Sequence, residues 1–345
     1  MKEAMFWKSV TGGIQCRLCC RYCVISEGKT GTCRVRQNKG GKLYSLVYGK
    51  VAAMNVDSIL KKPLFHFAPG SLNLSVSTVG CNFRCSFCCN YILSQEWTDI
   101  HGEDAPPEKL VRIAKQNNLQ GIAYTYTEPT IFFEYAHDTA LLAKKNGLYN
   151  VFVTNGYTPP EVIKKAATFL DAAVIDLKSS LEPAFYKEYS LVPDAQPIYD
   201  AMLAYKKNKI FIEITNLIMP ESKEEYIKKI SRWIVENLGP DTPFHLIQFF
   251  PSYKMRAPTT SVSLLEKAYR AAKEQGLNYV YLGNVPGSKY ESTYCPKCGQ
   301  EVIGRYGPRM TEFLLKDMKC PCGEKIPVAG EKWIPKEMLK KVGTE

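Results

Sequence analysis

The sequence predicts an α/β protein, a partial (β/α) barrel with small Cys-rich, metal-binding extensions on its N-terminal and C-terminal sides. Three observations carry that expectation. Between residues 71 and 290, apolar runs of strand length alternate with stretches of helical period. Alternation at this pace makes βα units and a parallel sheet. On either side the alternation is absent and cysteines accumulate. The chain therefore divides into a Cys-rich basic segment (1–70), the barrel (71–290) and a zinc-ribbon-like extension (291–345). Its 345 residues, 45% of them hydrophobic, suffice for about two domains of core without disulfide staples.

In chain order, residues 43–54 are rich in β-branched and aromatic types and read as a hairpin or edge strand. Barrel strands are predicted at 72–78, 121–127, 149–155, 172–178, 209–218, 245–250 and 278–283. Helices are predicted between them at 107–118, 131–147, 161–170, 197–208, 222–238 and 263–276. Several of these end in the Gly or Asn expected just past a helix C-terminus. In a barrel of this kind, chemistry collects where strands end and loops begin.

Composition removes several function classes. Glycine and proline are too few for a low-complexity chain, and 12% aromatic content is too high for disorder. No apolar run approaches the ~18 residues of a membrane span, and the first residues lack the apolar stretch of a secretion signal. The expected location is the cytoplasm. The formal charge of +11 admits nucleic acid, anionic substrates or an acidic partner protein.

The 13 cysteines are an odd number and form three groups, which points to metal or thiolate chemistry rather than a disulfide framework. The first group is Cys16, Cys19, Cys20, Cys23 and Cys33, the second Cys81, Cys85, Cys88 and Cys89, the third Cys295, Cys298, Cys320 and Cys322. The segment VGCNFRCSFCCN follows directly on the first barrel strand and places Cys81, Cys85 and Cys88 within eight residues. A loop that short can present three thiolates to three corners of one metal cluster. Iron–sulfur clusters normally take four cysteines, so three leave one iron open. In the third group two close pairs stand 21 residues apart, as in a zinc ribbon closed by four thiolates, with a second iron–sulfur cluster as the alternative. In the first group, Cys16, Cys19, Cys23 and Cys33 could hold either a structural zinc or an auxiliary cluster, with Cys20 spare.

The central loop resembles the cluster loop of radical S-adenosylmethionine (SAM) enzymes, with Phe87 at the aromatic position before the last cysteine. The resemblance implies a barrel of the radical SAM type and a 4Fe–4S cluster whose open iron binds the amino and carboxylate groups of SAM. It also implies an oxidoreductase that cleaves SAM reductively to methionine and a 5′-deoxyadenosyl radical, which takes hydrogen from a substrate. Nearly the whole chain is similar to the radical SAM member of the AmmeMemoRadiSam system, a group related to pyruvate formate-lyase activating enzyme. The likeness runs through CRLCCRYCVISEGKTGTCRVR, KLYSLVYGKVAA, KKPLFHFAPGS, the cluster loop, YTYTEPT, GNVPG and the last cysteines.

The same resemblance places cofactor contacts at successive strand ends. They are Thr127 and Glu128 after the second strand, Thr154 and Asn155 after the third, Asp176 and Lys178 at the fourth, and Asn216 and His245 later. Where the activating enzymes carry Gly-Gly before the glutamate, this chain has Tyr126 and Thr127. It also has Val153 at a position that many of them fill with an acid, and Cys89 where many relatives have Gln. Plainer readings stand beside these. Asn155 before Gly156 is a turn signal. Asp176 and Lys178 lie two apart on a strand and could pair with one another. His245 could be a hydrogen-bonded core histidine. The expected partners are an acidic electron donor such as flavodoxin or ferredoxin, and a protein or small-molecule substrate. The competing function is a nucleic-acid-binding zinc or iron–sulfur protein, resting on the charge and on the basic run before residue 57.

Overall fold

The computed structural model describes residues 1–178 and 183–340. Its centre is one eight-stranded sheet whose strands follow one another in chain order. They are β1 (Ala53–Ser58), β2 (Leu72–Ser77), β3 (Gly121–Tyr124), β4 (Tyr149–Thr154), β5 (Ala172–Leu177), β6 (Phe211–Ile218), β7 (Phe244–Gln248) and β8 (Val280–Gly283). Strands β2 to β8 are parallel, and β1 runs antiparallel along the β2 edge. Strand β1 comes from the segment that the sequence reading grouped with the N-terminal cysteines.

A helix links each parallel pair in turn: α1 (Pro107–Gln116), α2 (Phe133–Lys145), α3 (Pro160–Ala166), α4 (Gln196–Lys207), α5 (Glu224–Asn237) and α6 (Val262–Lys273). Parallel neighbours need such crossovers, and same-handed crossovers curl the sheet toward a barrel. Pro107 and Pro160 start their helices at the position where the missing N–H costs nothing. Ser261 caps α6, its hydroxyl accepting from Leu264 N–H at 3.3 Å. All seven predicted barrel strands and all six predicted helices are present, with ends shifted by a few residues.

The period-2 alternation of the strands divides the apolar residues between two cores. Ile122, Tyr124, Phe152, Ile175, Ile214 and Leu246 pack under the helices. Ala123, Val151, Val174 and Tyr281 belong to a second core with Phe65, Phe67, Val302, Ile303 and Phe313. The concave face of the sheet is thus filled by the 59–67 turn and by the C-terminal extension. That extension is a meander of Thr293–Tyr294, Glu301–Tyr306 and Arg309–Phe313.

Within this second core lies a buried polar chain. His245 Nε2 donates to Glu213 Oε2 at 2.7 Å, and Glu213 Oε1 accepts from the His66 backbone N–H at 2.7 Å. His66 Nδ1 faces the Pro327 carbonyl at 3.3 Å, which leaves Nε2 to accept from the Tyr281 hydroxyl. Thr293 and Arg305 Nη1 continue the chain at 2.8 Å each. Burial pushes His66 down to about 4, with the Glu213 carboxylate opposing and the Arg305 charge assisting.

An unfolded histidine titrates near 6.5, so below that pH the unfolded chain takes up a proton that the native chain refuses until about pH 4. Stability is therefore complete above pH 6.5 and falls as the pH drops toward 4. At pH 5.5 the expected loss from this residue is about 1.4 kcal/mol. His66→Gln should remove that part of the fall between pH 7.5 and 5.5 in denaturant titrations. An unchanged slope would contradict the assignment.

The N-terminal segment forms two small antiparallel sheets. One is Trp7–Val10, Gly13–Cys16 and Val24–Ile25, and the other is Lys2–Glu3, Lys42–Ser45 and Arg36–Lys39. Residues 43–54, expected as a hairpin or edge strand, do not pair with one another: Lys42–Ser45 pairs with Arg36–Lys39, Lys50–Val51 with Glu103–Asp104, and β1 is an edge strand of the main sheet. A buried ion pair ties this segment to the barrel. Arg36 Nη1 and Nη2 meet Glu134 Oε2 and Oε1 of α2 at 2.8 and 2.7 Å. No described helix is long and apolar enough to cross a membrane.

Candidate functional site

The loop after β2 carries Cys81, Cys85 and Cys88 at the C-terminal end of the parallel sheet. Its shape is fixed from several sides. Arg84 N–H donates to Ser190 O at 3.1 Å and Ser86 N–H to Tyr189 O at 2.9 Å. The Lys254 and Met255 amides both donate to Ser86 O. Gln95 Nε2 donates to the Cys85 carbonyl at 2.9 Å, and the Arg84 side chain reaches Ser94 O and Thr32 O. Phe87 is buried and meets Phe185 at 5.7 Å between ring centres. Around the sulfurs, Phe83 N–H lies 3.4 Å from Cys81 Sγ, Ser190 Oγ 3.4 Å from Cys85 Sγ and Ser94 Oγ 3.3 Å from Cys88 Sγ. Burial pushes the Cys81 thiol up, with the Glu128 carboxylate adding to it. Cys89 is exposed at the surface.

The strand ends gather around this loop. Strand β3 stops at Tyr124, three residues earlier than the sequence suggested, because Tyr126 adopts a left-handed φ of 63°. Glycine takes that conformation without steric cost, so a Gly-Gly pair suits this turn in relatives. Here Tyr126 is held by Asn90 Nδ2, which donates to its carbonyl at 2.8 Å, and by its own hydroxyl donating to Asp57 at 2.8 Å. Thr127 Oγ1 donates to Thr78 O at 2.9 Å, closing the turn onto the end of β2.

Glu128 is fully buried and both its oxygens have chain partners. Oε1 accepts from Thr154 Oγ1 at 2.8 Å and Thr130 N–H at 3.0 Å, and Oε2 from Asn155 N–H at 2.8 Å. Desolvation raises its carboxyl against these donors. Glu128 and Thr154 therefore brace the ends of β3 and β4. Asn155 reaches the cluster loop, its Nδ2 donating to Asn82 Oδ1 at 2.7 Å and lying 4.0 Å from Cys81 Sγ.

Asp176 and Lys178 pair directly, and Thr215 Oγ1 donates to Asp176 Oδ1 at 3.1 Å. Burial opposes the Lys178 charge, but Asp176 and then Cys85 outweigh it and hold its pKa above the ordinary lysine range. Both residues act electrostatically on Cys85, which places the pair beside the loop. Of the two later candidates, Asn216 lines the cleft beside the loop and His245 lies in the core. Asn216 is buried on β6 and donates to the Leu177 carbonyl at 2.7 Å. His245 is the second residue of β7, in the buried chain with Glu213 rather than at the strand's C-terminal end. The sequence reading missed Asn82, Ser94 and Ser190, which have no motif and become neighbours of the cysteines only through the fold.

Beside the loop opens a cleft of about 670 Å³, lined by Ser86, Phe185, Tyr189, Asn216, Met219 and Tyr226 among others. It has the size and mixed lining of a site for a nucleoside-sized molecule.

A second thiol set lies in the C-terminal extension. Cys295 and Cys322 are 3.6 Å apart, as are Cys298 and Cys320, and the four ligand atoms all fall within 4.8 Å of one another. Cys295 with Cys298 and Cys320 with Cys322 each form a knuckle, with Gly299 N–H donating to Cys295 O and Gly323 N–H to Cys320 O. Both glycines have positive φ, 76° and 90°. Four thiols this close together could hold one metal ion.

Residues 75–234 match the radical SAM superfamily. This part of the chain is a radical SAM domain. Over 336 residues it is 40% identical to an uncharacterized protein of Methanocaldococcus jannaschii, covering 95% of this chain and 99% of that one. Among solved structures it resembles SuiB of Streptococcus suis (TM-score 0.49, 15% identity, 60% of this chain and 48% of that one). It also resembles a radical SAM methyltransferase from Sphaerobacter thermophilus (TM-score 0.49, 15% identity, 62% and 66%). A third is a domain of pyruvate-formate lyase-activating enzyme from Bacteroides vulgatus (TM-score 0.41, 17% identity, 48% and 99%).

A radical SAM domain implies an enzyme with a 4Fe–4S cluster and SAM. The residues present fit both. Three thiols stand together on one braced loop, and Ser86 of the same loop lines the cleft with its Oγ buried and unpartnered.

Proposed function

We propose that the loop of Cys81, Cys85 and Cys88 holds the cluster by three irons, leaves the fourth open to SAM, and works as a glycyl-radical activase-like enzyme on a partner protein. The observation that carries the reading is the placement of three thiols on a braced loop at the C-terminal end of the parallel sheet, next to an open cleft. When bound, the reduced cluster supplies one electron that breaks the sulfonium C–S bond of SAM, and the adenosyl fragment then takes a hydrogen atom from substrate.

The chain's own part is to orient and to exclude water. Asp176 and Lys178, the ion pair at the end of β5 whose charges act on Cys85, offer a carboxylate and an ammonium suited to the amino and carboxylate ends of the methionine moiety. The Asn155–Asn82 hydrogen bond fixes the loop's first cysteine against the end of β4. Lys223, Lys254 and Arg256 face Glu188 and Glu221 on the cleft wall, and the overall charge of +11 favours an acidic electron donor. Deuterium placed on the glycines of a candidate glycyl-radical protein should appear in 5′-deoxyadenosine. Turnover of SAM without that transfer would remove the activase reading.

The four C-terminal cysteines are proposed to bind zinc. Metal analysis should find about one zinc per chain, retained when Cys81, Cys85 and Cys88 are replaced. Cys320→Ala should release it and loosen the extension from the concave face of the sheet. A preparation with iron and no zinc at this set would overturn the assignment.

A further inference from the structure

We infer that Cys16, Cys19, Cys23 and Cys33 hold a second iron–sulfur cluster, ligated by the protein at all four corners and adjoining the first. The four thiols line one small enclosed cavity of about 10 Å³. Cys20, adjacent in sequence to Cys19, is not part of that wall, so the structure separates four ligands from five cysteines. The backbone is folded to present them. Cys16 closes the strand Gly13–Cys16, its N–H donating to Cys23 O at 2.9 Å. Tyr22 takes a left-handed φ of 48°, and its N–H donates to Cys19 O at 3.2 Å. Gly31 also lines the cavity, and a Cβ there would lie 3.5 Å from Cys23 Sγ and 3.2 Å from Ile25 Cδ1, against the space that the thiols surround.

Two features favour a cluster over a single metal ion. The first is spacing. Sulfurs sharing one zinc at ~2.3 Å stand roughly 3.8 Å apart, as the C-terminal four nearly do. Among the described residues only that C-terminal set brings three or more ligand atoms within 4.8 Å of one another. The N-terminal thiols stand further apart around a void, which suits a polynuclear core with irons at its corners.

The second feature is a pair of unpartnered donors. Arg36 is 2% exposed, and its ion pair with Glu134 uses Nη1 and Nη2 and leaves Nε without an acceptor. Asn82 is fully buried, and its Nδ2 also lacks an acceptor. Both residues line the cavity. Buried N–H groups are seldom left unpaired, and a void walled by thiols offers no acceptor of its own beyond sulfur. The sulfides and thiolates of an anionic cluster would accept from both.

Asn82 follows Cys81 in the chain, so one residue touches both sites. With four thiolates the second cluster has no open iron, and its chemistry is confined to holding or passing electrons.

The test uses the full chain, purified and reconstituted with iron and sulfide without oxygen. The parent should carry about eight irons, and the Cys81/Cys85/Cys88→Ala variant about four. On reduction with dithionite, that variant should show an electron paramagnetic resonance signal that added SAM does not change. Complete loss of iron from that variant, or a zinc content near two per chain, would overturn the inference. The Cys16/Cys19/Cys23/Cys33→Ala variant should keep the other four irons with a SAM-responsive signal. A parent with eight irons, neither signal responding to SAM, would refute the proposed function and leave this inference standing.

Discussion

Glu134→Leu is expected to destabilise the protein by about 3–5 kcal/mol, the largest stability effect of any single change considered. Arg36 and Glu134 have side chains 2% and 0% exposed. Burial opposes the charge on Arg36, but Glu134 outweighs it and holds the guanidinium firmly protonated. Removing the carboxylate leaves that charge in the protein interior with only the Met5 and Ile131 carbonyls. It also strands the Met5 N–H, which donates to Glu134 Oε1 at 2.6 Å. The control is Arg36→Met with Glu134→Leu, which removes both charges and should recover a substantial part of the loss. Equal destabilisation in the single and double variants would show that packing, not the charge, decides the effect. Arg36, which Glu134 holds in place, also lines the N-terminal thiol cavity, so the single variant should lose iron from that site before it unfolds.

The second large effect concerns which of two adjacent cysteines binds the central cluster. Cys88→Ala should reduce SAM cleavage to the background of the reagents, because two remaining thiolates cannot hold three irons. Cys89→Ala should change cleavage by less than about twofold, as expected for an exposed surface position away from the loop's bracing contacts. Comparing the 5′-deoxyadenosine formed by the two purified variants, each with its iron content measured, decides the matter. Loss in both, or loss with Cys89→Ala alone, would require a different ligand set.

Much of the fold was legible because its signals are local. A parallel sheet buried on both faces reads as repeated apolar runs, and crossover helices read as amphipathic stretches between them. The cluster loop was legible for the same reason, since its three cysteines lie within eight residues. What escaped depends on contacts between distant parts of the chain. His245 looked like a strand-end residue until β7 was seen to begin one residue before it. Its partners Glu213 and His66 come from β6 and from the turn before β2. Glu128 resembled a cofactor contact by position, yet its oxygens brace Thr154 and Asn155. For Asp176 and Lys178 the plain reading of a strand-face pair is the geometry observed, and it also sets both charges beside Cys85. The choice between zinc and cluster at the N-terminal cysteines needed the cavity itself, because spacing in sequence serves either.

The measurement that tests the central claim most directly is SAM cleavage by the unaltered chain. Anoxically reconstituted protein, its iron content verified, is incubated with dithionite and SAM, and 5′-deoxyadenosine and methionine are both quantified. The two products should appear in equal amounts, and only when protein and reductant are both present. An intact reduced cluster that yields neither product, and whose resonance signal SAM leaves unchanged, would contradict the account.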